Sequence, residues 1–169
     1  MKNRRNNKGF TLIELLIVVA IIGIIVAIAI PNLLNAIQRA KQKRTMGDMR
    51  SSGTAAEAYA VDFNHYPAAA GYAKPTGLTV PPTATFGAAT GSTFNAKVTP
   101  TYIRVLPLTD GWTSWFLYGN GNTASDYVIY SNGKDGSAGT PTYAETTNFN
   151  DDIIFIDGQF VQYPAGAQN

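Results

Sequence analysis

The sequence predicts an α+β fold in which one long N-terminal helix packs against a small C-terminal antiparallel β-sheet. The chain has 169 residues, which is enough for one domain with one core. Apolar residues recur at helical spacing as far as about residue 66. From residue 102 onward they occur instead in short aromatic and β-branched runs, which are typical of strands. This change of period separates a helical region from a sheet region.

An apolar stretch at residues 10–30 predicts a membrane-spanning helix. Only Thr11, Glu14 and Gly23 interrupt the apolar character of its 21 residues. With a rise of about 1.5 Å per residue, the stretch is about 31 Å long as a helix, close to the hydrocarbon thickness of a bilayer. The leader before it, residues 1–9, holds four basic side chains. This excess predicts an N-terminus that stays in the cytoplasm while the rest of the chain is exported.

Two simpler interpretations of this stretch stay open. One is a secretory signal peptide cut near residues 27–29, although such apolar regions are usually about 7–15 residues long. The other is a plain one-pass anchor. Neither accounts for Glu14, because an ionised carboxylate within an apolar span costs about 2–3 kcal/mol. Either Glu14 reaches the membrane interface, or a cut after Gly9 gives Phe10 an α-amino cation that pairs with Glu14 on the same or a neighbouring chain.

The junction between leader and span resembles a known processing signal. Lys8-Gly9 followed by Phe10–Leu16, with an acidic residue at Glu14, is similar to the prepilin peptidase site of type IV pilins and type II secretion pseudopilins. The resemblance implies cleavage between Gly9 and Phe10 and N-methylation of Phe10. It also implies that Glu14 meets the Phe10 amine of an adjacent subunit.

The resemblance continues through Gly23 and Pro31, which fall where this family has a helix-loosening glycine and proline and which count here as assembly residues. It implies a single-pass inner-membrane protein with a periplasmic C-terminal region, which then polymerises through its apolar helix into a pseudopilus or pilus. The implied partners are further copies of the chain, prepilin peptidase, membrane lipid before assembly, an inner-membrane assembly platform and minor pseudopilins.

Residues 31–66 predict an amphipathic continuation of the helix. Pro31 removes one backbone hydrogen bond and loosens the preceding turn. The helix is expected to end before Pro67, because a residue that precedes proline avoids helical geometry. The second half of the apolar stripe is expected to pack on the protein's own globular part, and its members are Met46, Met49, Gly53, Ala56, Ala60 and Phe63.

Charge is divided unevenly along the chain. Five lysines and arginines lie between residues 39 and 50, and they predict a solvated or subunit-contacting helix face. From residue 51 onward, four lysines and arginines stand against nine aspartates and glutamates. Nucleic acid is therefore not expected as a partner.

The rest of the chain divides into a connection and a sheet region. Residues 67–101 are rich in proline, glycine, alanine and threonine, and they predict a long, variable surface connection. Asp157-Gly158 is a strong hairpin signal between two runs in residues 102–169. The predicted strands are Trp112–Tyr118, Tyr127–Tyr130, Ile153–Ile156 and Gln159–Tyr163.

Acidic residues beside these strands suggest a calcium site. Asp135, Asp151 and Asp152 supply hard oxygen ligands next to a glycine-rich turn, with carbonyls from residues 131–134 available. The alternative is that these acids only cap turns. Residues 127–136 and 150–153 look like the two sides of the calcium loop of major pseudopilins, and this resemblance favours the metal. A bound cation would stabilise the loop of a chain that has no cysteine.

The composition offers little support for an enzyme, since the chain has one histidine, no cysteine and no glycine-rich phosphate loop. We therefore expect a structural filament subunit. Leu106-Pro107 and Asp110-Gly111-Trp112 resemble features of the major pseudopilin of a type II secretion system, which is the leading hypothesis. A major type IV pilin, forming an extracellular fibre for adhesion or motility, is the main alternative. A third possibility is a membrane-anchored binding module that never polymerises.

Overall fold

A computed structural model describes residues 9–68, 84–85, 93–120 and 126–167. The chain divides into two compact units, Met1–Gln38 and Arg39–Asn169. The described part of the first unit is almost entirely helical, whereas the second unit contains a helical segment, a short second helix and a six-stranded sheet.

Helix α1 spans Leu12–Phe63 and contains 52 residues. Thr11 precedes the first turn and caps it together with Glu14, in the reciprocal pattern of a capping box. Pro31 lies inside the element, so the predicted loss of one backbone bond does not end the helix. The helix ends at Phe63, before Pro67 as predicted, and the next residue, Asn64, has a left-handed φ of 57°.

In the first unit, α1 leaves its apolar side chains exposed. The most apolar window of 18 residues has a mean hydropathy of 3.2, and none of it is buried. By length and composition, this helix is apolar enough to cross a membrane.

In the second unit, α1 buries one face against the core. Met46, Met49 and Ala56 are buried, as the apolar stripe predicts. The stripe ends earlier than expected, however, because Phe63 is 53% exposed. Its ring stacks on that of Tyr59, with the centroids 4.4 Å apart, so Phe63 covers the edge of the core instead of entering it.

The described residues form a sheet of six strands, which are β1 at Ala84–Thr85, β2 at Leu117–Asn120, β3 at Tyr127–Ser131, β4 at Glu145–Thr146, β5 at Ile153–Ile156 and β6 at Gln159–Pro164. Their order in the sheet is β1-β2-β3-β5-β6-β4. Neighbouring strands are antiparallel except for the β4–β6 pair, which is parallel. The expected antiparallel sheet is thus confirmed, with one parallel pair at its edge, but the strand predicted at Trp112–Tyr118 begins only at Leu117.

The predicted hairpin joins β5 to β6. Asp157 and Gly158 have φ angles of 47° and 84°, which is the pair of positive values that a tight two-residue hairpin turn requires. Ile156 and Gln159 flank this turn as register partners. Because β4 pairs with the other edge of β6, the last strand of the chain is hydrogen-bonded on both sides.

A short helix, α2 at Thr93–Val98, corrects the prediction of a purely surface connection. Phe94 and Val98 are buried in the core, and Phe94 stacks on Tyr118 with a centroid separation of 4.1 Å. The two apolar residues are one helical turn apart, so a single turn of helix brings both to the core. Most of the remaining 67–101 segment lies outside the described residues.

Candidate functional site

The predicted processing junction lies directly before α1. Phe10 is 81% exposed, and among the described residues no atom beyond the chain neighbours lies within 4 Å of the position that a Cβ on Gly9 would take. No described element therefore packs over the Gly9-Phe10 peptide bond.

Glu14 is satisfied within its own chain. Its carboxylate accepts hydrogen bonds from the Thr11 hydroxyl at 2.6 Å and from the Thr11 backbone N–H at 2.9 Å. These bonds give the carboxylate two donors in a segment where water is scarce once the helix is in lipid. Sequence reasoning missed Thr11 as a partner, although the spacing Thr-x-x-Glu is the signal of a capping box.

The two other predicted assembly residues lie apart from this cluster. A Cβ on Gly23 would meet open space, and Pro31 lies further along α1. Within one chain, Gly23 and Pro31 therefore do not form a joint site with Phe10 and Glu14.

The predicted calcium loop is built from two segments that pack closely, one after β3 and one before β5. Gly133 has a φ of 65°, and a Cβ there would lie 2.6 Å from the carbonyl oxygens of Asn150 and Asp151. The N–H of Lys134 donates to the carbonyl of Phe149 at 3.0 Å. Only glycine fits at position 133, because any other side chain would push the two segments apart.

Asp152 is the buried acid of this loop, with 2% of its surface exposed. Its Oδ2 accepts hydrogen bonds from the Tyr130 hydroxyl and from the Gly139 N–H, the latter at 2.7 Å. Its Oδ1 is buried and has no hydrogen-bond partner among the described residues. Burial raises the pKa of Asp152 above its usual value, and the charges of Asp135 and Asp151 act in the same direction, while its hydrogen bonds oppose the shift.

The other two predicted ligands are held by local turns. Asp151 accepts hydrogen bonds from Thr146 and from the Asn148 amide, and exposed Asp135 accepts one from the Ser137 N–H at 2.9 Å. Across the described part of the chain, no three histidine, cysteine, aspartate or glutamate side chains are grouped as a metal site. The structure therefore does not gather Asp135, Asp151 and Asp152 into one carboxylate cluster.

Two oxygen atoms in the loop are buried without a hydrogen-bond donor in the described part of the chain. Asp152 Oδ1 and Asn132 Oδ1 are both buried, and neither has a donor within the described residues. Buried acceptors are normally paired, and calcium accepts ligands of this kind together with backbone carbonyls.

A buried aspartate that the sequence reasoning did not select organises the turn beside this loop. Asp110 is 1% exposed and accepts hydrogen bonds from the N–H groups of Trp112 and Ser114, at 2.8 and 3.0 Å. Its other oxygen accepts the Ser131 hydroxyl at 2.7 Å. Asp110 therefore ties the turn to the last residue of β3, where the loop begins.

The same turn lies directly on α1. A Cβ on Gly111 would be 2.5 Å from the carbonyl oxygen of Lys41, and the Gly111 N–H donates to the Thr45 hydroxyl at 2.9 Å. The available signal was an aspartate followed by glycine, which is typical of a turn stabilised by an aspartate side chain. The pattern alone does not show what the turn contacts.

Known protein families match both the N-terminal helix and the sheet region of the chain. A family model described as the prokaryotic N-terminal methylation motif matches residues 4–30, and one described as type II secretion system (T2SS), protein G matches residues 32–149. The type II secretion system core protein G of Pseudomonas aeruginosa is 31% identical over 141 residues, which cover 80% of this chain and 89% of that protein. The core protein G of Escherichia coli is 29% identical over 147 residues, covering 83% and 90%.

A pilus protein is also similar over a shorter region. The type IV wide pilus major component PilA4 of Thermus thermophilus is 50% identical over 62 residues, which cover 37% of this chain and 47% of that protein. The methylation motif, the exposed apolar helix and the C-terminal sheet together define the pilin-like class of filament subunits. Within that class, the chain belongs to the type II secretion system protein G family, whose members are major pseudopilins.

Proposed function

We propose that this chain is the major structural subunit of a periplasmic pseudopilus in a type II secretion system. The observation that carries the proposal is the exposed apolar helix that begins directly after the Gly9-Phe10 junction. Such a surface needs lipid or other helices around it, because it exposes large apolar side chains over its whole circumference. The role is structural, since the members of this family are filament subunits.

Processing prepares the helix for assembly. Prepilin peptidase cleaves between Gly9 and Phe10, and the new α-amino group of Phe10 is then methylated. The basic leader, residues 1–9, stays cytoplasmic, and the sheet region lies in the periplasm. Before assembly, the Thr11 cap supplies the donors that Glu14 needs inside lipid.

Assembly exchanges lipid for neighbouring helices. The apolar segments pack side by side, and the Phe10 amine of one subunit neutralises Glu14 of the next. Because a buried ion pair is costly when one partner is missing, it favours the stagger in which both partners meet. Gly23 and Pro31 adapt the helix to this packing. An inner-membrane assembly platform and minor pseudopilins complete the set of partners.

Calcium stabilises the loop between β3 and β5 in this proposal. Asp152 Oδ1 and Asn132 Oδ1 would hold the ion together with carbonyls of residues 131–134, and Asp135 and Asp151 would add negative charge nearby. The positive ion would neutralise the negative charge of the buried Asp152 carboxylate.

The test measures the intact mass of the processed chain and its ability to form filaments. The chain is expressed in cells with and without prepilin peptidase, and intact mass is expected to show residues 10–169 with one methyl group only when the peptidase is present. Glu14→Ala should be processed but should not form filaments, whereas the matched variant Thr11→Ser keeps the capping hydroxyl and should assemble. A mature chain that begins at Met1 or Ile30 contradicts the processing step, and filaments of normal yield from Glu14→Ala contradict the assembly step.

A type IV pilus is the second candidate, favoured by the 50% identity to a pilus component over part of the chain. Deletion of the gene separates the two functions. A pseudopilus subunit is needed for the export of secreted proteins, whereas a pilin is needed for fibres on the cell surface.

A further inference from the structure

A polar groove lies between α1 and the turn that follows β6, entirely within the second unit. It consists of two cavities of about 310 and 160 Å³, which share Arg39, Gln42, Ala165 and Gly166 as lining residues. Gly166 has a φ of 72°, and no described atom lies within 4 Å of the position that a Cβ would take there. The turn therefore leaves the groove open on that side.

Gln42 is the unusual residue of this groove. It is 5% exposed, yet its side-chain amide makes no hydrogen bond with any residue in the described part of the chain. Nearly all buried polar groups in folded proteins have a partner, because an unpaired one retains its full desolvation cost. The amide lines both cavities and keeps contact with solvent there, so a polar group that enters the groove can complete its hydrogen bonds.

Two cations flank this amide. Arg39 and Lys43 lie three residues before and one after Gln42 on α1, and both line the smaller cavity. The only ion pair seen in the described ranges joins Arg44 to Asp48, so Arg39 and Lys43 are unpaired there. No acidic side chain lines either cavity.

The remaining polar groups around the groove are also consistent with an incoming anion. Thr146 and Thr147 line the larger cavity opposite the helix. The nearby acids are engaged elsewhere: Glu145 accepts the Gly166 N–H at 2.9 Å, and Asp151 accepts the Thr146 hydroxyl. Glu145 therefore fixes the turn, and it forms no ion pair with Arg39 in the described part of the chain.

A carboxylate is the ligand that this set of groups fits. A guanidinium binds a carboxylate through two parallel hydrogen bonds, and the NH₂ group of the Gln42 amide offers a further donor. The amide oxygen would then accept an N–H from the peptide segment that carries the acid. A cavity of about 310 Å³ has room for the end of one acidic side chain and its adjoining backbone.

We propose that Arg39, Gln42 and Lys43 form a carboxylate-binding groove that receives an acidic side chain from a second copy of this chain. The inference rests on the proposed filament function. Charge complementarity favours this occupant, because the chain from residue 51 onward carries nine acidic and four basic residues while the groove is lined by unpaired cations. Each subunit thus offers both the cationic groove and the acidic surface that a head-to-tail contact requires.

The first test separates binding from folding with the full-length chain. Gln42→Leu should melt in detergent at the same or a higher temperature than the parent, because it removes a buried amide that has no partner in the single chain. The same variant and Arg39→Gln should each lower filament yield in cells by about tenfold, the effect expected for the loss of one good polar contact. Lys41→Gln removes an equal charge on the same helix outside the groove and should assemble like the parent.

The second test identifies the occupant. A photo-crosslinking amino acid is placed at Arg39 of the full-length chain, filaments are irradiated, and the adduct is sequenced by mass spectrometry. We expect a peptide of a second copy that contains an aspartate or glutamate. An adduct with a lipid or with a different protein, or filaments that show no adduct, overturns the proposal.

The two proposals fail in distinguishable ways. If the parent and Lys41→Gln assemble and Gln42→Leu and Arg39→Gln assemble equally well, the groove proposal is wrong and the filament function stands. If the processed parent forms no filament under any condition that exports the sheet region, both proposals are wrong.

Discussion

The two halves of α1 share one backbone geometry but differ in what surrounds them. Up to Gln38 the large apolar side chains lie exposed around the helix, with Ile28 64% exposed. From Arg39 onward one face is buried against the sheet, with Met49 fully buried, and the other face carries charges. The comparison shows that a helix can form without the contacts that stabilise it in the folded protein. The second half is stabilised within the chain, whereas the first half needs partners outside it.

Small residues allow the second half of α1 to pack closely against the sheet. Gly53, Ala55 and Ala56 are buried where α1 meets the sheet. A Cβ on Gly53 would lie 2.4 Å from Phe155 Cε1 and 2.8 Å from the Tyr127 hydroxyl. Small residues thus let the helix backbone approach the aromatic side chains of β3 and β5.

The largest expected difference between the halves comes from removing side-chain volume. Met49→Ala should destabilise the full-length chain in detergent by about 2–5 kcal/mol, because it opens a cavity in the core. Ile28→Ala removes similar volume from the exposed half and should leave the melting temperature unchanged while lowering filament yield. Equal melting of the two variants would abolish the distinction between the halves.

Replacing Gly53 by alanine, which adds one methyl group, tests the close approach of α1 to the sheet. Gly53→Ala should destabilise the fold by about 1–3 kcal/mol, because the new Cβ overlaps Phe155 and Tyr127. Gly47→Ala, where nothing lies near the new Cβ, should raise stability by up to about 1 kcal/mol through helix propensity. Thermal melting of both variants gives the comparison, and a stable Gly53→Ala variant would mean that α1 is not seated as described.

The contact between α1 and the Asp110 turn can be tested with a matched pair of threonines. Thr45→Val should cost about 1–3 kcal/mol, because it leaves the buried Gly111 N–H without an acceptor. Thr45 and Thr54 each donate a hydroxyl hydrogen bond to the backbone carbonyl four residues earlier, that of Lys41 and that of Arg50. Thr54 is exposed, so Thr54→Val should change stability by less than about 0.5 kcal/mol. If Thr45→Val were as stable as Thr54→Val, the turn would not be anchored on the helix.

The smallest effect concerns pH and calcium at Asp152. Its folded-state pKa is raised, so the native state holds the proton more tightly than the unfolded state does. In chelator, this contribution to stability is complete below the ordinary pKa of 3.8 and is lost as the pH rises through the folded pKa. Melting temperatures measured from below that value to neutral pH should show this decline in the parent and not in Asp152→Asn.

Calcium should reverse the trend, because the cation binds the ionised carboxylate. With calcium, the parent should gain stability as Asp152 ionises, while Asp152→Asn should keep its melting temperature with and without the ion. The loop proposal is wrong if parent and variant respond equally to calcium. Ile28→Ala should respond to calcium like the parent, since its change lies in the half that does not pack on the sheet.

Some features could be read from short stretches of sequence because their cause is local. The apolar span and the hairpin turn at Asp157-Gly158 each depend on residues a few positions apart. The capping signal Thr11-x-x-Glu14 is equally local, although sequence reasoning missed it. The runs of β-branched and aromatic residues likewise identified β3, β5 and β6, because side chains alternate along any strand. The calcium and assembly roles of the named residues stay predictions.

Other features depended on residues that are distant in the sequence. Local composition suggested a surface position for the segment around α2, but Phe94 finds Tyr118 in the core. Sequence reasoning named Asp110 only within a motif that resembles the major pseudopilin, yet its carboxylate accepts a hydrogen bond from the Ser131 hydroxyl, 21 positions away. Asp135 lies 16 positions before Asp151 in the sequence. Each of the three loop aspartates has its own hydrogen-bond donors.

The sequence by itself determined the helix, its apolar and amphipathic halves, strands β3, β5 and β6, and the family. Periodicity and short motifs carry this information, since they reflect the geometry of single elements. Only the tertiary structure decided which polar groups are paired. It buried Asp110 with three donors, left Asp152 Oδ1 without one among the described residues, and set Gly53 against Phe155. Pairing and close contact depend on the distances between elements, which no local pattern specifies.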